Sequence, residues 1–129
     1  NAVFIGNNTN HIENDFNADA TWNYSSDVRQ KTEIENDTLG LDFINKIRPV
    51  SYKYINDKQD GKTKYGIIAQ EVQEVLKESN NEDFAGIKDG DEYLGADYNQ
   101  FVAPLIKSVQ ELTEMVKSQQ KEIEKLKKK

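Results

Sequence analysis

Residues 97–126 read DYNQFVAPLIKSVQELTEMVKSQQKEIEKL, and their spacing decides the fold of the last third of the chain. Tyr98, Val102, Leu105, Val109, Leu112, Val116, Gln119, Ile123 and Leu126 recur at alternating intervals of four and three. That is an unbroken heptad pattern, with Val or Ile at a and mostly Leu at d. A period held at 3.5 rather than 3.6 residues points to a long helix supercoiled with a partner. A long amphipathic helix folded back on its own domain is the alternative. Asp97 and Gln100 fit a capping box at the helix start, and Pro104 is expected to kink the helix soon after. Glu122 and Lys127 fall at g and the following e, where parallel neighbours would pair. The terminal lysines Lys125, Lys127, Lys128 and Lys129 suit a helix C-terminus through the macrodipole.

Upstream, residues 26–96 read as a small α+β unit of short hairpins and helices. Leu39, Phe43 and Ile47, with Ile44 beside them, predict a helix over 38–47. The Arg48-Pro49 step ends it, because the residue before proline is pushed out of the α region. Val50, Tyr52 and Tyr54 alternate as one face of a strand. A polar turn over 56–61 returns the chain into 64–68, which makes a hairpin. Residues 69–78 predict a helix burying Val72, Val75 and Leu76. Two more short strands are expected around Phe84 and Tyr93, flanking the turn Asp89-Gly90-Asp91. Residues 1–25 hold seven Asn and only short apolar stretches such as Val3-Phe4-Ile5. They read as short strands joined by polar turns, with too little apolar surface to fold alone. Asn-x-Ser/Thr sequons fall at Asn7, Asn23 and Asn36; they would matter only on a secreted eukaryotic chain, and Asn density explains them as well. The three parts, 1–25, 26–96 and 97–129, set the expected domain organisation.

Composition excludes more than it nominates. The chain has 129 residues, no cysteine and one histidine, His11. A disulfide framework, a thiol nucleophile and a thiolate metal site are therefore out of reach. A net charge of −6 argues against nucleic acid as the main partner. No apolar run approaches the ~20 residues of a membrane-spanning helix. The start at Asn1, without an initiator Met, reads as a piece of something longer. The acidic turns Asp57–Asp60 and Asp89–Glu92 lack the ligand spacing and closing Glu of a calcium loop, so they read as solvated turns. There is no glycine-rich phosphate loop, and Ser-His-Asp catalysis would depend on His11 in the weakest-folding segment.

What remains is Ser26-Asp27-Val28-Arg29-Gln30-Lys31. A neutral lysine amine can accept a hydroxyl proton as a serine oxygen attacks a carbonyl. On spacing alone, an N-capping serine beside a surface Arg and Lys is the favoured reading. An ordinary lysine is neutral at pH 7 only about once in 2,500 molecules, so burial or a nearby cation must help. Arg29 is the obvious local cation, and Asp27 opposes it unless Arg29 or a backbone amide occupies it.

The order of the motifs adds to this. Ser26-Asp27-x-Arg29-x-Lys31 is followed by Ile47-Arg48-Pro49-Val50-Ser51-Tyr52, then Gly66-Ile67-Ile68-Ala69-Gln70-Glu71-Val72, then a Tyr98-containing start to a long helix. Over residues 22–126 this resembles the self-cleaving C-terminal intramolecular chaperone domain of bacteriophage tail spikes, neck appendages and endosialidases. A related domain occurs in myelin regulatory factors. The resemblance implies that Ser26 is the nucleophile, attacking the carbonyl of Ser25, and that Lys31 is the general base, with Asp27 and Arg29 supporting them. It also implies a homotrimer, without cofactor or metal, that registers an upstream β-rich fibre and then releases itself. Nucleic acid and membrane are not expected partners. The place of action would be a virion precursor in the bacterial host cytoplasm. Val102, Leu105, Val109, Leu112, Val116, Ile123 and Leu126 would carry the trimer contact. The coiled-coil residue rule, β-branched a with Leu at d, pulls instead towards two strands. Two other readings stand beside this one: a structural trimerisation tip without chemistry, and a receptor- or glycan-binding tip using Trp22 and Tyr24.

Overall fold

In the computed structural model the described residues are 3–6, 11–14, 22–55 and 61–129, and the chain divides into two compact units, 1–36 and 37–129. The first unit carries an antiparallel sheet in the order β1 (Val3–Gly6), β2 (His11–Asn14), β3 (Asn23–Tyr24). Ile5 lies opposite Ile12, and Ile12 opposite Tyr24. A single 3-10 turn, Val28–Gln30, follows.

The second unit is mixed α and β, as its sequence predicts. It runs α1 (Leu41–Lys46), β4 (Val50–Tyr52), β5 (Lys64–Gly66), α2 (Ala69–Glu78), β6 (Ile87–Lys88), β7 (Gly95–Ala96), a 3-10 turn Tyr98–Phe101 and α3 (Val102–Lys127). The strands form two separate antiparallel hairpins, with Val50 opposite Gly66 and Ile87 opposite Ala96. The turn expected over 56–61 lies outside the described residues except for Gly61, as do the sequon at Asn7 and the acidic turn at 57–60. No helix among the described residues is long and apolar enough to cross a membrane.

A small core holds this unit together. Phe43 of α1, Val72 and Leu76 of α2 and Phe101 before α3 are buried, and Ile44, Ile47, Val75 and Phe84 pack around them. Phe84 meets Phe43 and Phe101 edge-on, with ring centroids 5.7 and 5.2 Å away, while Phe43 and Phe101 stack at 6.3 Å. Aromatic pairs at such distances add roughly 0.5–1.5 kcal/mol beyond their burial.

Four local expectations are corrected. The helix predicted over 38–47 is only Leu41–Lys46. The Leu39 N–H is taken by Asp37 Oδ1 at 2.8 Å, and the helix start is capped from a distance, by Glu111 of α3. The strands expected at Phe84 and Tyr93 lie instead at 87–88 and 95–96, because Phe84 is drawn into the core. The capping box is half formed: Asp97 Oδ1 accepts from the Asn99 N–H at 3.1 Å, but the Asp97 N–H goes to the Gly86 carbonyl at 2.8 Å. Pro104 sits in the first turn of α3, where no intrahelical donor is lost, so the expected kink becomes a switch from 3-10 to α at Phe101–Val102. By contrast α2 spans the predicted 69–78. It ends with Asn80 in the left-handed region (φ 54°), the Asn81 N–H returning to the Leu76 carbonyl and the Asn80 N–H to Lys77. That is a Schellman stop, with Asn in the place glycine usually takes.

Two glycines mark close approaches. A Cβ on Gly66 would overlap the Tyr98 hydroxyl, which accepts the Ile67 N–H at 3.2 Å. This diversion of the Ile67 donor stops β5 short of the predicted 68. A Cβ on Gly40 would strike the Glu111 carboxylate.

α3 has two faces. Phe101, just before it, and then Pro104 and Ser108 are buried, Lys107 and Glu111 are half-buried, and α3 packs against α1. The Ser108 hydroxyl satisfies itself on the Pro104 carbonyl at 2.7 Å. The heptad stripe lies on a different side. Val102, Leu105, Val109, Leu112, Val116, Ile123 and Leu126 are all exposed, and every residue after Glu111 is exposed. At 1.5 Å per residue the helix beyond Glu111 extends about 24 Å past its last partly buried residue.

Glu111 gives a pH test of this docking. Its Oε2 accepts the Leu41 N–H at 3.0 Å and its Oε1 lies 3.2 Å from Lys107 Nζ. The Leu41 backbone donor first, then Lys107, lower its pKa below the usual 4.5. A carboxylate with a depressed folded-state pKa stabilises fully above its unfolded value and loses that contribution as pH falls through the folded one. Thermal melts of Glu111→Gln are therefore expected to differ most from the parent at neutral pH and to converge with it in acid below about pH 4.5. A constant difference across that range would contradict the capping role.

Candidate active site

The site lies within the first unit and is built by one turn. Asp27 is the N-cap of the 28–30 turn, its Oδ1 accepting the Arg29 N–H at 2.8 Å. The Arg29 side chain folds back on the same carboxylate, Nε to Oδ1 at 3.0 Å and Nη2 to Oδ2 at 2.7 Å. The guanidinium bonds first, then the backbone amide, hold Asp27 below its usual 3.8, and Asp27 in turn raises Arg29. The turn closes with the Gln30 N–H on the Asp27 carbonyl at 3.0 Å and the Lys31 N–H on Val28 at 3.2 Å.

This winding explains the five-residue spacing. With one 3-10 turn between them, Lys31 comes back beneath Ser26, and its Nζ donates to Ser26 Oγ at 2.7 Å. Both side chains are exposed. Arg29, read in the sequence as a cation for Lys31, has its charge committed to Asp27; its structural part here is to hold the turn. The Asp27 charge is correspondingly occupied by both groups that the sequence nominated for it. Trp22 and Tyr24 are exposed on and beside β3.

Sequence reading missed Gln30. Its Oε1 accepts from the Ser25 hydroxyl, again across five residues. The two residues flanking the Ser25–Ser26 bond are thus gripped by two consecutive residues of one turn. The signal in the sequence is a second Ser at the same offset, and it is faint because Gln30 occupies an unspecified position of the motif. A role for Arg48 and Glu71 was also missed. Arg48 donates to both Glu71 carboxylate oxygens, Nε at 3.1 Å and Nη2 to Oε1, tying the Arg-Pro segment to the first turn of α2. These parts of the motif are therefore structural in the second unit. Among the described residues no cluster of His, Asp or Glu is arranged to hold a metal ion.

No curated protein matches the chain. A family model does match, beginning at the serine that the turn presents to Lys31 and running through Asn80 at the end of α2. Residues 26–80 carry the signature of a peptidase family described as the chaperone of endosialidase, in agreement with the resemblance read from the motifs.

Proposed function

We propose that this chain is a self-processing intramolecular chaperone, which assembles three copies of a fibre and then cuts itself free between Ser25 and Ser26. The family match supports the chaperone role and a self-cleaving peptidase. The observation that carries the chemistry is the 2.7 Å contact between Lys31 Nζ and Ser26 Oγ on a turn that also holds Ser25.

In the reaction the Lys31 amine, in its neutral form, takes the proton from Ser26 Oγ as that oxygen attacks the Ser25 carbonyl carbon. The tetrahedral adduct collapses with rupture of the Ser25–Ser26 C–N bond, and Lys31 returns the proton to the departing nitrogen, which becomes the free amine of Ser26. The Ser25 acyl group is then an ester on Ser26 Oγ. Water, deprotonated by Lys31, hydrolyses it to a Ser25 carboxylate and regenerates the hydroxyl. Both side chains face solvent in a single copy. Cover from neighbouring copies would strengthen their interaction and favour the neutral amine, coupling the cut to assembly.

The exposed heptad face supports self-association. A helix that extends about 24 Å without packing is marginal in water by itself, and its apolar stripe fits further copies. Glu122 and Lys127 fall at g and the following e, where parallel neighbours would pair, Glu122 turning from the Lys125 Nζ that it meets at 2.8 Å in the single helix. Three-strandedness follows the family resemblance. Three copies joined at this helix would raise the effective concentration of their upstream segments, the slow part of assembling interwound fibres.

Two outcomes test this. Intact mass is expected to show the parent chain splitting between Ser25 and Ser26, while Ser26→Ala stays whole. Lys31→Ala and Lys31→Arg should slow the cut by about 10²–10⁴-fold, since arginine keeps the charge but not the base. A parent that stays whole would favour the trimerisation tip without chemistry. Light scattering is expected to give a trimer that Leu112→Asp dissociates; a stable dimer or a monomer would sink that claim.

A further inference from the structure

The paired five-residue contacts carry an inference about the bond itself. We infer that Gln30 is a positioning residue for the self-cleavage proposed above, acting through the Ser25 hydroxyl, and that residue 25 is thereby specificity-determining for the cut. This rests on that reading of Ser26 and Lys31.

Intramolecular attack demands that Ser26 Oγ lie over the face of the Ser25 carbonyl, and rate falls steeply when the reacting atoms wander from that arrangement. Lys31 fixes only the nucleophile. The acyl side of the bond belongs to Ser25, an exposed residue outside any strand, β3 having ended at Tyr24. Without an anchor its carbonyl would sample many orientations. The Ser25 hydroxyl supplies the anchor by donating to Gln30 Oε1. The Gln30 backbone is held in place, because its N–H closes the turn on the Asp27 carbonyl at 3.0 Å. Asp27 thus sets both grips: it winds the turn whose last residue holds Ser25 and whose following residue, Lys31, meets Ser26. The Gln30 contact is a neutral hydrogen bond. Its loss therefore withdraws orientation and leaves the base in place.

The experiment follows single-turnover cleavage of the full chain across pH, with Ser26→Ala as the uncut control. Ser25→Ala and Gln30→Leu should each lower the first-order rate by about threefold to tenfold. The double variant should be no slower than either single one, because the two remove the same contact. The pH midpoint should stay at the parent's value in all three, whereas disruption of the turn would move it by displacing Lys31. Ser25→Thr, which keeps a hydroxyl donor, should restore most of the rate. Independently of cleavage, the Gln30 side-chain amide resonances of the Ser26→Ala chain should shift when Ser25→Ala is added. Parent-like rates in both single variants, multiplicative effects in the double, a moved pH midpoint or unshifted Gln30 resonances would overturn the positioning role. A parent that never cuts fails the reading of Ser26 and Lys31 instead, and the resonance shift still reports whether the Ser25–Gln30 contact exists.

Discussion

The 37–129 unit depends on the contact of three phenylalanine rings, Phe43, Phe84 and Phe101, drawn from a helix, a loop and the turn that starts α3. Val72, Leu76 and Pro104 are buried beside Phe43 and Phe101, and Phe84 packs against this cluster. Their position fixes much else. Phe101 brings the base of the long helix to α1, which sets Glu111 against the Leu41 N–H, its carboxylate lying where a Cβ on Gly40 would stand. Phe84, taken into the core, shifts the second hairpin to 87–88 and 95–96. Tyr98, one turn earlier than Val102, reaches back to the Ile67 N–H and ends β5.

The long helix presents two different faces. Its docked face is short and partly polar, and holds the helix to its own unit through Pro104, Ser108 and Glu111. Its heptad face is apolar and exposed from Val102 to Leu126, whereas the docked face ends at Glu111. A helix meant only to cover α1 would carry its apolar residues towards α1. The mismatch between where the apolar residues lie and where the unit contacts the helix is the physical basis for reading further copies as the stripe's partners.

Much of this was legible in the sequence where the cause is local. The bounds of α2 follow from periodicity, and Asn80 supplies the stop within its own turn. The Ser26–Lys31 meeting is likewise local, because Asp27 and Arg29 wind the turn from within six residues. Asp97 is the cap that its position predicts, although its N–H is claimed by Gly86, eleven residues away. What stayed hidden comes from distance. The start of α1 is set by Glu111, seventy residues on, and no window of neighbours contains that information. The strand pattern near Phe84 failed for the same reason: an aromatic residue suits a strand and a core equally, and only the other two rings decide. Gln30 was hidden differently, since a polar side chain at an unspecified motif position has no periodicity to betray it.

In the proposed cut the Ser25 acyl group passes through an ester on Ser26 Oγ. Hydroxylamine, added while the full chain is cutting, tests this most directly, because it captures an ester faster than water does. Mass spectrometry of the upstream fragment is expected to find a Ser25 hydroxamate in place of part of the carboxylate, with Ser26→Ala giving neither. A fragment ending at Ser25 solely as the carboxylate, or a cut at any other bond, would contradict the account.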